Sequence, residues 1–176
     1  MKLTDSTSQF ILHWGEMGTR WGVNRTVAQV HALLYLSPEP LTAEDIAETL
    51  SVARSNVSTS LKELQNWNLV HIDNRIGDRR DFFHTSADVW ALFLTVVEQR
   101  VEREIVPTLA MLRRCAVEAQ SERPTQTRVT ARIIAMQNFL EELHGWYSQI
   151  KTLPIASLRS LIRFGSRITS ILPKGR

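Results

Sequence analysis

Arg54, Ser55, Asn56, Ser58, Thr59 and Lys62 crowd into one short stretch with no acid among them. They offer short hydrogen-bonding groups and two cations. Asn can pair bidentately with adenine and Lys can donate to guanine, so Ser55, Asn56, Thr59 and Lys62 are candidates for base edges. Arg54 and Ser58 suit phosphates, which fix register without reading sequence. The plainer alternative is a solvated helix face, but such a face usually mixes Glu with Lys.

Presenting these side chains takes a helix. In LSVARSNVSTSLKELQNWNLV, Leu50 to Val70, the residues Val57, Leu61 and Leu64 fall at i, i+4 and i+7, which predicts a buried stripe from about Arg54 to Trp67. Ser51 to Ala53 makes a turn before it. Thr42 with Asp45 reads as a capping box opening a preceding helix, whose Ile46, Ala47 and Leu50 face inward. The two helices form a helix-turn-helix. Another helix starts at Asn24 and is expected to bury Val27, Val30, His31, Leu34 and Tyr35, ending before Pro38 and Pro40. After the reading helix, Asn68 tolerates the left-handed backbone that ends a helix. Leu69 to Asp73 and Asp81 to Thr85 read as two strands around the turn Ile76 to Arg80, a wing with Arg75, Arg79 and Arg80 at its tip.

Long helices flank this core. Thr85 and Ser86, with Asp88, are expected to cap one running from Val89 through Leu112, kinked at Pro107. Ser121 to Thr125 is a break, with Pro124 placed for a helix start. The next helix carries Ile133, Met136, Gln137, Leu140, Leu143, His144 and Tyr147 on one face and ends at Pro154. Ile155 to Leu172 is amphipathic, its apolar side opposite Arg159, Arg163 and Arg167. At the front, Thr4 to Gly18 is a weak helix interrupted by Gly15, Gly18 and Gly22, a packing arm with Phe10 and Trp14. The expected organisation is an arm over 1–23, a winged helix-turn-helix over 24–85, a long helical dimerisation region over 86–153 and a basic amphipathic helix over 154–176. The fold class is mainly α with a small two-stranded β-wing. One small core cannot cover so many apolar stripes, so a two-fold homodimer is expected, setting two reading helices about 34 Å apart.

Composition narrows the functional classes. The chain has 176 residues, 43% hydrophobic and 22% charged, with a net charge of +3. These are values of a soluble globular protein. No long apolar run predicts a membrane span, and the N-terminus has no signal core, which together predict a cytoplasmic protein. The single Cys115 excludes an internal disulfide and is expected to be a buried small residue. His and Cys show no metal-ligand spacing, and no phosphate loop or Ser-His-Asp context points to an enzyme. Five bases and no acid follow Pro154, while the preceding residues sum to −2. Any nucleic-acid surface must therefore be a local patch. The basic tail could lie on an anionic membrane, although a dimer or domain-covering helix is the preferred reading.

The stretch Leu34 to Trp90 resembles the GbsR/MarR group of bacterial transcriptional regulators. The likeness rests on LLYLSPEPLTAEDIAETLSVARSNVSTSLKELQNWNLV, the turn GDRRDFF and the DVW opening the long helix, and continues through EREIVPTL to about Leu112. It implies a dimeric winged-helix repressor. By the same likeness, Asp78 and Arg80 brace the wing while Arg79 enters the minor groove. Members commonly have Gly where Ser51, Ser55 and Asn68 stand and Ser where Ala53 stands. Ala53 cannot cap the reading helix, at a cost of about 1 kcal/mol. Well-known members answer choline-like quaternary amines. Ring faces attract such cations, which makes Trp14, Trp67, Trp90 and Phe93 a candidate effector cage. Core and dimer packing is the alternative for these rings. No other cofactor is expected. The functional expectation is a repressor binding double-stranded DNA at a pseudo-palindromic operator. The alternative is a winged-helix module for protein–protein assembly.

Overall fold

The computed structural model describes residues 3–121 and 127–168. The expected break at Pro124 and the tail residues Ile171, Leu172, Lys174 and Arg176 lie outside the described residues. The chain divides into two compact units, Met1–Val96 and Val97–Arg176.

In the first unit, α1 (Asp5–Arg20) is opened by a capping box in which Thr4 and Thr7 exchange side-chain-to-backbone bonds. The helix runs through Gly15 and Gly18 rather than breaking there. A Cβ on Gly18 would stand 2.6 Å from the Ala28 Cβ, and one on Gly15 2.7 Å from Gln29 Cγ. The two glycines thus let α1 approach α2 (Arg25–Leu36) closely, and Ile11 joins the core. Asn24 caps α2 by accepting from the Thr26 amide at 2.8 Å. The helix-turn-helix is α3 (Ala43–Leu50) and α4 (Arg54–Asn66). The Thr42–Asp45 capping box is formed in both directions. Leu33, Ile46, Leu61, Val30 and Val57 are fully buried between α2, α3 and α4.

Three helix ends share one chain reversal. Gly22, Ser51 and Asn68 adopt positive φ of 77°, 53° and 55°. In each case the following amide reaches back five residues, as Val52 does to Ala47 (3.1 Å) and Leu69 to Leu64 (2.9 Å). That is the Schellman closure, which suits Gly because a Cβ is strained in left-handed backbone. Ser51→Gly is therefore expected to stabilise the unit by about 0.5–1 kcal/mol, a value net of glycine's greater unfolded-state entropy. Urea denaturation checks this. A midpoint at or below that of the parent would show that Ser51 carries no strain.

The wing is β1 (His71–Asn74) paired antiparallel with β2 (Asp81–His84), with His71 opposite His84 and Asn74 opposite Asp81. Leu41 adds a bridge to Phe83 on the other edge of β2, at 2.8 and 3.0 Å. No periodicity or turn signal around Leu41 marks this third segment. It ties the wing to the residue that starts the helix-turn-helix. The next helix, α5 (Val89–Arg100), begins three residues later than a Thr85 cap and two later than a Ser86 cap would place it. Asp88 caps it instead, accepting from the Trp90 and Ala91 amides at 2.8 and 3.4 Å. Thr85 instead faces Leu69 and His31, its hydroxyl donating to the Leu69 carbonyl at 2.6 Å and lying 3.3 Å from His31 Nε2. On α5 it is Leu92 and Val96 that pack on the core, while Val89 and Phe93 are exposed.

In the second unit a π-helical turn, Val101–Ile105, precedes α6 (Val106–Ser121). Pro107 has no amide to offer the Arg103 carbonyl, so the irregular hydrogen bonding falls in the turn before it. Next come α7 (Thr127–Ile150) and α8 (Ile155–Ile168). An Arg113–Glu141 ion pair of 2.8 Å joins α6 to α7. Cys115 is half-buried rather than buried, with Sγ 3.5 Å from the Met111 sulfur.

Candidate nucleic-acid interface

The reading face follows from how α4 is anchored. Val57, Ser60, Leu61 and Leu64 turn inward. By helical periodicity Arg54, Ser55, Asn56, Thr59 and Lys62 turn outward and are exposed, with Ser58 half-exposed. The structure thus sets all six candidates along one helix, five of them well exposed. Thr59 is partly committed, since its hydroxyl donates to the Ser55 carbonyl at 3.1 Å. It retains a methyl group and acceptor lone pairs for a base edge. Arg54 is held 2.9 Å from Glu44 at the start of α3, with both side chains more than half exposed. Such a pair contributes little and can exchange its carboxylate for a phosphate. Ala53 makes no side-chain cap. The first turn of α4 therefore keeps amides available to an anion.

The wing positions the second set. Asp78 accepts from Arg80 through Nε (3.0 Å), Nη2 (2.6 Å) and the backbone amide (3.0 Å). These bonds hold the Asp78 carboxyl down at about 2. Arg80 also faces Asp45 and Glu44, which favour its charge further. Arg75 lies 4.0 Å from the centre of the Phe82 ring, and Arg80 lies 5.5 Å from it. Cation–π contact fixes such guanidinium groups over the ring. The three arginines are therefore not equivalent at a common tip. Arg75 and Arg80 fold back over Phe82, and Arg79 is exposed with no ion-pair partner among the described residues. Gly77, at φ 84°, makes the turn beside them.

Ile76 is fully exposed at the same turn, and sequence reasoning missed it. A β-branched apolar residue inside a polar turn was the available signal. Arg79→Ala is expected to lower the salt dependence of DNA affinity by about one phosphate contact. Binding measured across a salt series checks this, and an unchanged slope would remove Arg79 from the interface.

The aromatic candidates lie in different local settings. Trp14 stacks on Phe10 at 5.3 Å, and Phe10 on Tyr35 at 6.4 Å. Trp90 meets Phe93 edge-on at 6.3 Å. Trp67 is half-buried against the core at the end of α4.

Comparison with known proteins agrees with this architecture. Residues 21–81 match the MarR family model, covering α2 to the start of β2. The chain is 21% identical over 136 residues to the HTH-type transcriptional repressor GbsR of Bacillus subtilis (strain 168), covering 76% of this chain and 75% of that protein. It is 21% identical over 94 residues to the putative HTH-type transcriptional regulator YvaV of the same organism, covering 53% of each. A crystal structure of a transcriptional regulator superposes with a TM-score of 0.68 at 17% identity, over 83% of this chain and 95% of that one. The fold is a winged helix, mainly α with a two-stranded wing. The chain is thus similar to the MarR family over its helix-turn-helix and the first strand of its wing.

Proposed function

We propose that the protein is a sequence-specific DNA-binding transcriptional regulator acting as a homodimeric repressor. One observation carries this reading: the polar outer face of α4, where Arg54, Ser55, Asn56, Thr59 and Lys62 are exposed and the half-buried Glu63 is the one acid of the helix, stands beside a wing that is braced by Asp78 and Arg80 and leaves Arg79 outward. The face enters the major groove and Arg79 the minor groove. An assembly module without an operator is not favoured, since an outward arginine on a braced turn beside a face of Ser, Asn, Thr, Arg and Lys suits phosphates and base edges. The protein is non-catalytic and works in the cytoplasm. Among the described residues no helix is long and apolar enough to cross a membrane.

A second face of α7 supports the dimer. Its inner side packs half-buried Ile133, Leu140 and His144. On another side Val129, Met136 and Leu143 recur every seven residues, as do Phe139 and Trp146, all 41–60% exposed. Arg132 holds the matching position one heptad before Phe139. An apolar seven-residue repeat in solvent fits a facing helix from a second copy. Mobility shifts with the DNA upstream of the protein's own gene, at two salt concentrations, test the reading together with sedimentation. Expected are a dimer mass and a specific shift that survives competitor DNA. A monomer, or equal affinity for unrelated DNA, would overturn it.

The effector is assigned to the Trp90–Phe93 pair at the start of α5. A quaternary amine on those rings would bias the spacing of the two reading heads. Calorimetry with choline and with betaine tests this, and no heat from either would remove it.

A further inference from the structure

We propose that α8 is a membrane-surface helix that lies in the plane of an anionic bilayer. The sequence expectation was a helix covering its own domain or a dimer partner. The structure does not support covering of its own domain by the whole apolar side. Of the large apolar side chains of α8 whose burial is described, Leu158 is buried and Ile155 half-buried, while Leu161, Ile162 and Phe164 are 46, 66 and 52% exposed. A covering helix would have hidden them. Leu153, Ala156, Ser157, Ser160, Leu161 and Phe164 line a shallow open trough of about 420 Å³ along the helix.

The two sides of α8 segregate. At 100° per residue, Ile155, Leu158, Leu161, Ile162 and Phe164 cover about half the circumference. That arc is broader than a coiled-coil seam. The other side carries Arg159 and Arg163 one turn apart, together with Ala156 and Ser160. Arginines at the edge of a broad apolar arc can extend along it and keep their heads in a phosphate layer.

Charge selects the occupant. From Leu143 to Arg176 the sequence has six basic residues and no Asp or Glu. A helix facing a second copy of this chain gains from mixed signs, as on α7, where Arg128 and Arg132 share the helix with Glu141 and Glu142. An acid-free polar side with Phe, Leu and Ile opposite it matches a negatively charged lipid surface. No described helix is long and apolar enough to span the bilayer, so α8 lies along it.

The test is co-sedimentation of the full chain with vesicles of phosphatidylglycerol and phosphatidylcholine, against pure phosphatidylcholine. Binding to the anionic vesicles alone is expected. The paired change Arg159→Gln and Arg163→Gln should lower partition about thirtyfold. Leu161→Ser with Ile162→Ser should lower it at least tenfold. Both pairs are exposed, and both variants should keep the dimer mass and DNA affinity of the parent. Failure of the full chain to bind anionic vesicles would overturn the proposal. So would loss of the dimer in the Leu161–Ile162 variant, which would assign the face to a second copy. Loss of DNA affinity in the arginine variant, without vesicle binding by the parent, would assign those charges to DNA phosphates. Each result is distinct from failure of the operator reading, which rests on α4 and the wing.

Discussion

Asn56→Ala combined with Lys62→Ala is expected to lower affinity for the operator about a hundredfold or more, with a much smaller loss on unrelated DNA. Both residues are exposed on the outer face of α4, so neither supports the core formed by Val57, Leu61 and Leu64. A good bidentate base contact contributes about 1–3 kcal/mol of discrimination, and two such contacts on one rigid helix roughly add. Lys62 also contributes charge, so part of its effect falls on every sequence. Asn56 has no charge to lose, and its effect should appear as relaxed specificity at one position. The measurement is a binding titration with operator and scrambled duplexes at fixed salt, with the urea midpoint as a folding control. Equal losses on both duplexes would move Asn56 and Lys62 from base edges to the backbone. No loss on either would remove them from the interface.

Acid is expected to destabilise the winged-helix unit between pH 6.5 and 4 through one buried side chain. His31 on α2 is buried, and burial lowers its pKa from 6.5 to about 4. Its Nε2 lies 3.3 Å from the Thr85 hydroxyl, whose own proton goes to the Leu69 carbonyl. That hydroxyl can therefore only accept from His31, which sets Nε2–H as the neutral donor. In the unfolded chain His31 takes a proton near pH 6.5, but in the folded chain only near pH 4. Stability is thus complete above pH 6.5, falls as the pH drops toward 4, and loses nothing further from this group below 4. The integrated loss is on the order of 3 kcal/mol, a large share of the stability of a single domain. His31→Leu should flatten that interval while leaving the Thr85–Leu69 bond in place. Urea midpoints at pH 4.5, 5.5 and 7 check it. Equal pH slopes in parent and variant would show that another group controls the acid response.

The helix-turn-helix was legible because its signals are local. Val57, Leu61 and Leu64 declare a buried side by spacing alone, and that spacing places Asn56 and Lys62 outside. Asn24, Thr42 and Asp45 satisfy the amides of their own first turns, so their roles lie within three residues of themselves. Asn68 was readable as a helix end for the same reason. The wing followed from a glycine turn between two short strands.

Distant partners decided the rest. Thr85 looks like a helix cap, but its hydroxyl is taken by Leu69, sixteen positions away, and Asp88 caps the helix instead. Leu41 pairs with Phe83, a bond that no periodicity encodes. Gly15 and Gly18 look like breaks because glycine weakens a helix, yet contact with Gln29 and Ala28 makes the missing Cβ atoms a requirement. Three wing arginines are alike in sequence, and only the Phe82 ring and Asp78 separate Arg75 and Arg80 from Arg79. On α7 and α8 the sequence marked which residues are apolar, but not which apolar side finds a neighbour within the chain. A helix with two apolar sides satisfies its periodicity on either one. By itself, then, the sequence determined the reading head, because hydrogen bonds and helical spacing act over a few residues. Tertiary structure alone decided which arginine stays outward and which apolar faces remain open, because those depend on groups brought together from far along the chain.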